Sequence, residues 1–196
     1  MGAEDWGLGI ASKLTGEGYR VIALARKETR QLTSAIQEAD RRSPGSFHLI
    51  PFDLAQIDGI SSLVNSVRKN FGSIYGLVNN AAVSFEGVLP LMHNSRIEQM
   101  VRLNTLSPIV LTKYVMRSMM ADGGGRIVNV ASIVGFTGYR GLAVYGATKA
   151  SMLGFTRSLA RGRTDGCQRK FDCARIRGNR NDPGTQRRAA TADNSA

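Results

Sequence analysis

Apolar residues along this chain come in two alternating textures: short unbroken runs, and longer stretches in which they recur every three or four positions. Tyr19–Ala25 and Ser46–Phe52 are runs rich in Val, Ile and Leu, the texture of strands buried on both faces. A helical stretch precedes each, Ile10–Thr15 and Thr29–Arg41, and Pro44-Gly45 breaks the second. Ile57–Phe71 repeats apolar residues at helical spacing, and Ile74–Asn80 returns to strand. Arg96–Met120 is the longest helical pattern, bent near Pro108 and ended by Asp122-Gly123-Gly124-Gly125. Gly125–Ser132 reads as a strand centred on Ile127–Ala131, and Tyr145–Arg161 as the last helix. Strands and helices alternating at these lengths predict an α/β domain with a doubly wound parallel sheet, spanning residues 1–161.

Both ends depart from that pattern. A doubly wound sheet of this kind begins with a buried strand feeding a glycine-rich turn, whereas Met1–Gly7 contains no strand. After Arg161 the periodicity gives way to a segment rich in Arg, Asp and Gly, so residues 162–196 are expected to be a disordered tail. The expected sheet therefore has its first and last strands missing or garbled.

Composition narrows the function classes. At 196 residues the chain suits one sizeable domain, and its 42% hydrophobic content is ordinary for a soluble protein. No apolar run approaches the roughly 20 residues of a membrane span, and Met1–Ile10 has no signal-peptide core, so a cytoplasmic protein without membrane partners is expected. The net charge of +11 raises nucleic-acid binding as a reading, but the basicity is spread: 162–196 carries eight Lys/Arg against four Asp/Glu, which leaves +7 on the rest. No aromatic residues interleave with it to stack bases, and attraction for a cofactor's phosphates explains it as well. Cys167 and Cys173 lack His or Cys partners at ligand spacing, so neither a disulfide nor a metal site is expected. His48 falls in an apolar run and His93 in a polar loop, and neither suggests catalysis.

The candidate chemistry centres on Tyr145-Gly146-Ala147-Thr148-Lys149, with Ser132 thirteen residues upstream. A phenol and an ammonium four apart share one helix face, and a serine at a strand end can reach the same point. A phenol with a reference pKa of about 10 exchanges its proton poorly at neutral pH, so a cation one turn away should lower that pKa and make Tyr145 a usable general acid. Ser132 would hold the substrate oxygen toward it. Two further features stand where a nucleotide-dependent reductase needs them: the strand Leu77–Asn80 ending in amide and small residues, Asn80-Ala81-Ala82, and Asn104 inside a long apolar helix. Met116, Met119 and Met120 suit a core or a subunit interface.

Taken in this order, these residues resemble the classical short-chain dehydrogenase/reductase family, and within it the 3-oxoacyl-acyl-carrier-protein reductase branch, over Gly7–Arg161. The resemblance implies an NADP(H)-dependent oxidoreductase that reduces a ketone, most simply a 3-oxoacyl thioester of fatty acid biosynthesis, with Tyr145, Lys149, Ser132 and Asn104 catalytic. It implies that Lys149 also binds the nicotinamide ribose and that Asn104 holds a relay water; a helix amide satisfying backbone near Pro108 is the other reading of Asn104. Arg26, following the second strand of the fold, takes the position where a cation accepts a 2′-phosphate, Asp53-Leu54 the position that contacts adenine, and Asn80-Ala81 the cofactor cleft. Gly7 and Gly9 are what remains of the phosphate-binding glycines, with Ala3 where the first should be. A homodimer or homotetramer is implied as well. The alternatives are an inactive remnant or non-catalytic binding protein, and a basic nucleic-acid binder.

The missing pieces reappear in another reading frame. Arg163–Asp182 can be written in codons that, shifted by one nucleotide, read Gly-Arg-Met-Gly-Val-Asn-Val-Asn-Ser-Ile-Ala-Pro-Gly-Phe-Val-Glu-Thr-Glu-Met-Thr, which supplies the family's strand and Pro-Gly turn. Met1–Gly7, with a GTG start, yields Gly-Gly-Ser-Arg-Gly-Leu-Gly by the same operation. Both termini are therefore expected to be frameshifted, and the chain as written to fold poorly and reduce nothing. Resequencing the gene should reveal the one-base shifts; intact DNA without an alternative-frame match would overturn the expectation.

Overall fold

A computed structural model describes residues 3–161 and 171–176, with residues 3–5 and 171–176 described as backbone only. Helix α1 (Ala3–Gly16) leads into strand β1 (Val21–Ala25), helix α2 (Arg30–Arg42) and strand β2 (Phe47–Pro51). A single 3-10 turn precedes α3 (Ile60–Phe71), which is followed by β3 (Gly76–Asn79). The long helical pattern divides into α4 (Asn94–Val101), a π-helical turn (Arg102–Leu106) and α5 (Ser107–Asp122). Then come β4 (Gly125–Val130), the short α6 (Val134–Thr137), α7 (Ala143–Arg161) and β5 (Phe171–Ile176).

Every strand pair is parallel, but the strands form two sheets, β1-β2 and β3-β4-β5. Among the described residues no strand joins β1 to β3, where a doubly wound order places a central one. The consequence is visible in burial. Val21–Ala25 is only half-buried along its whole length, and Leu77–Asn79 likewise, whereas β4, with neighbours on both sides, buries Gly125, Ile127 and Asn129. At the other end the structure differs from the expected tail: Phe171–Ile176 pairs in register with Gly125–Val130. Only six residues long, and interrupted by Asp172 and Arg175, this run carries too little pattern to read as a strand without the free edge of β4 beside it. The remainder of 162–196, Cys167 included, lies outside the described residues.

Each half has its own apolar cluster. Ala11, Leu32, Ala39 and Phe47 bring α1 and α2 against β1 and β2. Ile60, Val64, Leu111, Val115, Met119 and Ile127 bring α3 and α5 against β4. Of the three methionines on α5, Met119 is fully buried and Met120 is exposed. His48 serves the first half structurally, its Nε2 2.9 Å from the Gly45 carbonyl and its ring against Phe71.

Polar contacts tie the second half together. Asn79 Nδ2 donates to Thr112 Oγ1 on α5 (3.0 Å) and to Asn129 Oδ1 on β4 (2.8 Å), and Asn129 Nδ2 donates to Thr156 Oγ1 on α7 (2.8 Å). Asn129, Thr112 and Thr156 are all buried, so each bond satisfies a group that water cannot reach. Asn129 lies on the same face of β4 as Ile127, two residues earlier, which places α3, α5 and α7 on one face of this sheet.

The α5–β4 turn depends on a residue without a side chain. A Cβ on Gly125 would lie 2.5 Å from Met119 Sδ and 2.8 Å from the Tyr75 carbonyl oxygen, and the backbone oxygen cannot retreat without disturbing β3. Gly125→Ala is expected to cost about 1–3 kcal/mol, read as a lowered midpoint in urea unfolding; an unchanged midpoint would contradict this packing.

Candidate active site

The sequence-predicted residues collect at the carboxyl ends of the parallel strands, where open α/β sheets place their ligands. Arg26 follows β1, Asp53 and Leu54 follow β2, Asn80 and Ala81 follow β3, and Ser132 follows β4. Tyr145 is the third residue of α7, and Lys149 lies one turn on. Such placement near a helix N-terminus favours an anion, so the backbone itself would help a Tyr145 phenolate.

Ser132 stands near enough to the Tyr145 hydroxyl to act on its pKa, and its Oγ accepts from the Val134 N–H at 3.3 Å. Lys149 is 4% exposed, its Nζ donates to the Val130 carbonyl at 3.1 Å, and the same atom lies 5.8 Å from the centre of the Tyr145 ring. Burial drives the electrostatics. It pushes the Lys149 pKa down from 10.5 to about 8 and raises that of Tyr145, which Ser132 only partly offsets. The lowered phenol pKa expected from the four-residue spacing is therefore not found here: the ammonium is itself desolvated, and the phenol is held in its protonated form.

Asn104 lies within the π-helical turn and is buried. Its Oδ1 accepts from the Val83 N–H and its Nδ2 donates to the Val83 carbonyl, both at 2.8 Å. The same Nδ2 donates to Thr148 Oγ1 at 3.1 Å, so both amide protons are engaged. The side chain thus links the loop after β3 to α7. Thr148 completes the link by donating to the Tyr145 carbonyl at 2.8 Å. Pro108 stands in the first turn of α5, and the irregularity lies in the π-helical turn just before it, a feature frequent at functional sites.

Several contributors escaped the sequence reading. Thr148 was legible only as a spacer within the motif, and the Val83 backbone and Val130 carbonyl carry no side-chain signal. Gly135 allows α6 to pack on α7: a Cβ there would lie 2.9 Å from the Ala150 nitrogen and the Lys149 carbonyl carbon.

The cofactor-facing residues divide. Arg26, Pro51, Phe52, Asp53 and Gln56 line an open cleft of about 370 Å³, which brings Arg26 and Asp53 together. Asp53 Oδ1 accepts from the Ala55 N–H at 2.9 Å, a local turn bond, and Leu54 packs on the second apolar cluster. Gly7 and Gly9 do not form a loop: both lie inside α1, where helical geometry commits their N–H groups to the ladder. Gly7 also abuts β3, since a Cβ on it would lie 2.7 Å from Asn80 Nδ2. Arg26 and its cleft thus lie at the end of β1, Tyr145 and Lys149 lie on α7, and among the described residues no glycine loop stands between them. Among the described residues no His, Cys, Asp and Glu cluster could hold a metal ion, and no helix is long and apolar enough to cross a membrane.

Comparison with known proteins agrees with this geometry. The model of a family described as short chain dehydrogenase matches residues 2–165. The chain is 35% identical over 155 residues to the 3-oxoacyl-acyl-carrier-protein reductase FabG of Escherichia coli (strain K12), covering 79% of this chain and 62% of that one. It is 32% identical over 161 residues to the human 3-oxoacyl-acyl-carrier-protein reductase, covering 82% and 65%. The chain thus spans less than two thirds of the length of these relatives. A crystal structure of a metagenomic short-chain oxidoreductase in complex with NADP superposes with a TM-score of 0.80 at 26% identity, covering 88% of this chain and 76% of the other.

The Lys149 shift predicts a pH dependence of stability. Its folded pKa, about 8, lies below the ordinary 10.5, so between these values the unfolded chain binds more protons and stability rises with pH. Below pH 8 the full cost of burying the charge is present. Relative to Lys149→Met, the protein should gain stability from about pH 8 to 10, by at most about 1.4 kcal/mol per pH unit in denaturant titrations. Tyr145 acts oppositely only above pH 10. A difference that stays flat across this window would contradict the assignment.

Proposed function

The chain belongs to the short chain dehydrogenase family, and on that premise we propose that its strand ends form the carbonyl-binding and proton-delivering site of an NADP(H)-dependent ketone reductase acting on 3-oxoacyl thioesters. The observation that carries this reading is the convergence of Ser132, Tyr145 and Lys149. The substrate class is supported by the relatives named 3-oxoacyl-acyl-carrier-protein reductase. The choice of NADP(H) is supported by Arg26 at the end of β1 and by the neighbour solved with NADP. An apolar rim suits an acyl substrate: the Gly87 N–H donates to the Gly141 carbonyl (3.0 Å), joining the loop of exposed Val88 and Leu89 to that of exposed Tyr139.

In this mechanism a bound nicotinamide supplies hydride to the carbonyl carbon. Ser132 and Tyr145, neighbours at this point, turn their hydroxyls to the substrate oxygen. Tyr145 gives up its proton, which its raised pKa has kept in place at neutral pH. The resulting phenolate is stabilised by the first turn of α7 and by the charged form of Lys149, whose pKa near 8 lets it release and recover a proton under working conditions. Asn104 and Thr148 hold α7 at the depth this requires. A second copy of the chain is proposed to pack on the α4–α5 surface, where Val101 and Leu106 are exposed.

One observation favours the second reading, a non-catalytic remnant: Gly7 and Gly9 lie in the helical ladder, so the pyrophosphate lacks its cradle. We therefore expect the 196-residue chain to bind NADPH weakly, and turnover to appear once a strand and glycine turn precede α1. Consumption of NADPH with an acetoacetyl thioester checks this. In the extended protein Tyr145→Phe should lower kcat about 100-fold or more, with NADPH fluorescence titration unchanged. Activity that survives Tyr145→Phe would refute the assignment; an extended protein that binds NADPH but reduces no ketone would favour the remnant.

A further inference from the structure

Two loops border the strand ends where Ser132 and Tyr145 stand, and a backbone hydrogen bond joins them. The first, residues 80–93, follows β3; the second, residues 138–142, runs from α6 to α7. Where they meet, the Gly87 N–H donates to the Gly141 carbonyl at 3.0 Å. Both residues have φ in the region that side chains rarely adopt, 156° at Gly87 and 78° at Gly141. Their approach is close as well: a Cβ on Gly141 would lie 3.7 Å from the Gly87 nitrogen and 4.0 Å from its oxygen.

Each loop is fastened at its root by other means. Asn104 holds Val83 with two hydrogen bonds, and α6 packs on α7 through Gly135. The bond between the glycines ties the two loops farther out. Gly141 lies four residues before Tyr145, and the Gly146 N–H donates to the Leu142 carbonyl at 2.7 Å, so a displacement of the second loop is carried into the start of α7. Beside the tie stand Val88, Leu89 and Tyr139, which are 53%, 52% and 66% exposed. Apolar side chains grouped on both sides of the tie suit an apolar substituent. The charged sequence neighbours of the two glycines, Glu86 and Arg140, are of opposite sign, so the tie does not select an ionic ligand.

We propose that the Gly87–Gly141 bond sets substrate specificity: it holds the two loops as one rim, with Val88, Leu89 and Tyr139 placed to receive the apolar tail of a 3-oxoacyl thioester beyond its reacting carbonyl. The proposal rests on the ketone-reductase reading above and adds to it a chain-length preference and two positioning residues, Gly87 and Gly141. Medium-chain thioesters bind in preference to short ones, because each further methylene gains contact only while the rim is held closed. A side chain on Gly141 favours negative φ, which turns its carbonyl away from Gly87 and parts the loops. Val88 stands next to the tie without taking part in it, so its replacement tests the apolar surface separately.

The probes are 3-hydroxyacyl thioesters of N-acetylcysteamine, which carry the same tail and cannot be reduced at the carbonyl carbon again. The 196-residue chain, in excess NADPH, is titrated with the 3-hydroxybutyryl and 3-hydroxyoctanoyl probes, and binding is read by ligand-observed NMR and amide hydrogen exchange. The octanoyl probe should bind at least about tenfold more tightly and slow exchange at 84–92 and 138–142. In Gly141→Ala the ratio should fall to about threefold or less, with exchange of the Gly87 amide at least about tenfold faster. In Val88→Ser the ratio should fall likewise, with Gly87 exchange as in the parent chain. A parent ratio near one, binding of neither probe, or a parent ratio kept in either variant would overturn the proposal; where Gly141→Ala does not fold, Val88→Ser decides. Tyr145-dependent turnover in the extended protein judges the reductase reading apart. Turnover without a chain-length preference sinks the rim alone, and a preference without turnover sinks the reductase reading alone.

Discussion

A parallel sheet holds together only if its interior strands have partners on both edges, and the rest of this structure follows from where that condition is met. β4 meets it, with β3 on one side and β5 on the other. Around β4 the side-chain amides of Asn79 and Asn129 reach Thr112 and Thr156, fixing α5 and α7 to the sheet. These bonds add modest net stability individually, but each is expensive to leave unmade. Because α7 carries Tyr145 and Lys149, satisfying the buried polar groups of the sheet also sets the position of the chemistry.

The elements legible in the sequence are those whose apolar spacing is intrinsic to their own segment. β1, β2, α2, α3, β4 and α7 fall close to the positions their periodicity predicts, and the parallel class follows from their alternation. What was hidden depends on contacts between segments. Glycine costs only about 1 kcal/mol within a helix, so α1 can run through Gly7 and Gly9, and the approach of Asn80 leaves Gly7 no room for a side chain. β5 is too short and too interrupted to announce itself. The π-helical turn is set by the engagement of Asn104 with Val83 and Thr148, partners 21 and 44 residues away.

The same distinction governs the site. Residue types and spacing point to Ser132, Tyr145 and Lys149, because a helix of known pitch places Tyr145 and Lys149 on one face and Ser132 follows the strand before it. Their protonation is another matter. Sequence proximity suggests that the lysine acidifies the tyrosine, yet that holds only for a charged lysine, and burial penalises charge on both groups. Desolvation is the larger influence on each, so the phenol pKa rises from 10 while the ammonium pKa falls from 10.5 to about 8, and the two move apart. The phenol is thereby the better proton holder of the two, and depth of burial sets that order more than pairing does.

The two halves of the molecule differ in how much they ask of a central strand. The proton-delivering residues depend on β4, α7 and the Asn104 clamp, none of which needs a neighbour beyond β3. The residues proposed to meet the cofactor depend on the other side: Arg26 follows β1, which among the described residues pairs with β2 alone. α1 is regular helix through Gly7 and Gly9, whose N–H groups belong to its ladder. The groups proposed to protonate a carbonyl are thus fastened to a strand with two neighbours, and the cation proposed to meet the cofactor to a strand with one among the described residues.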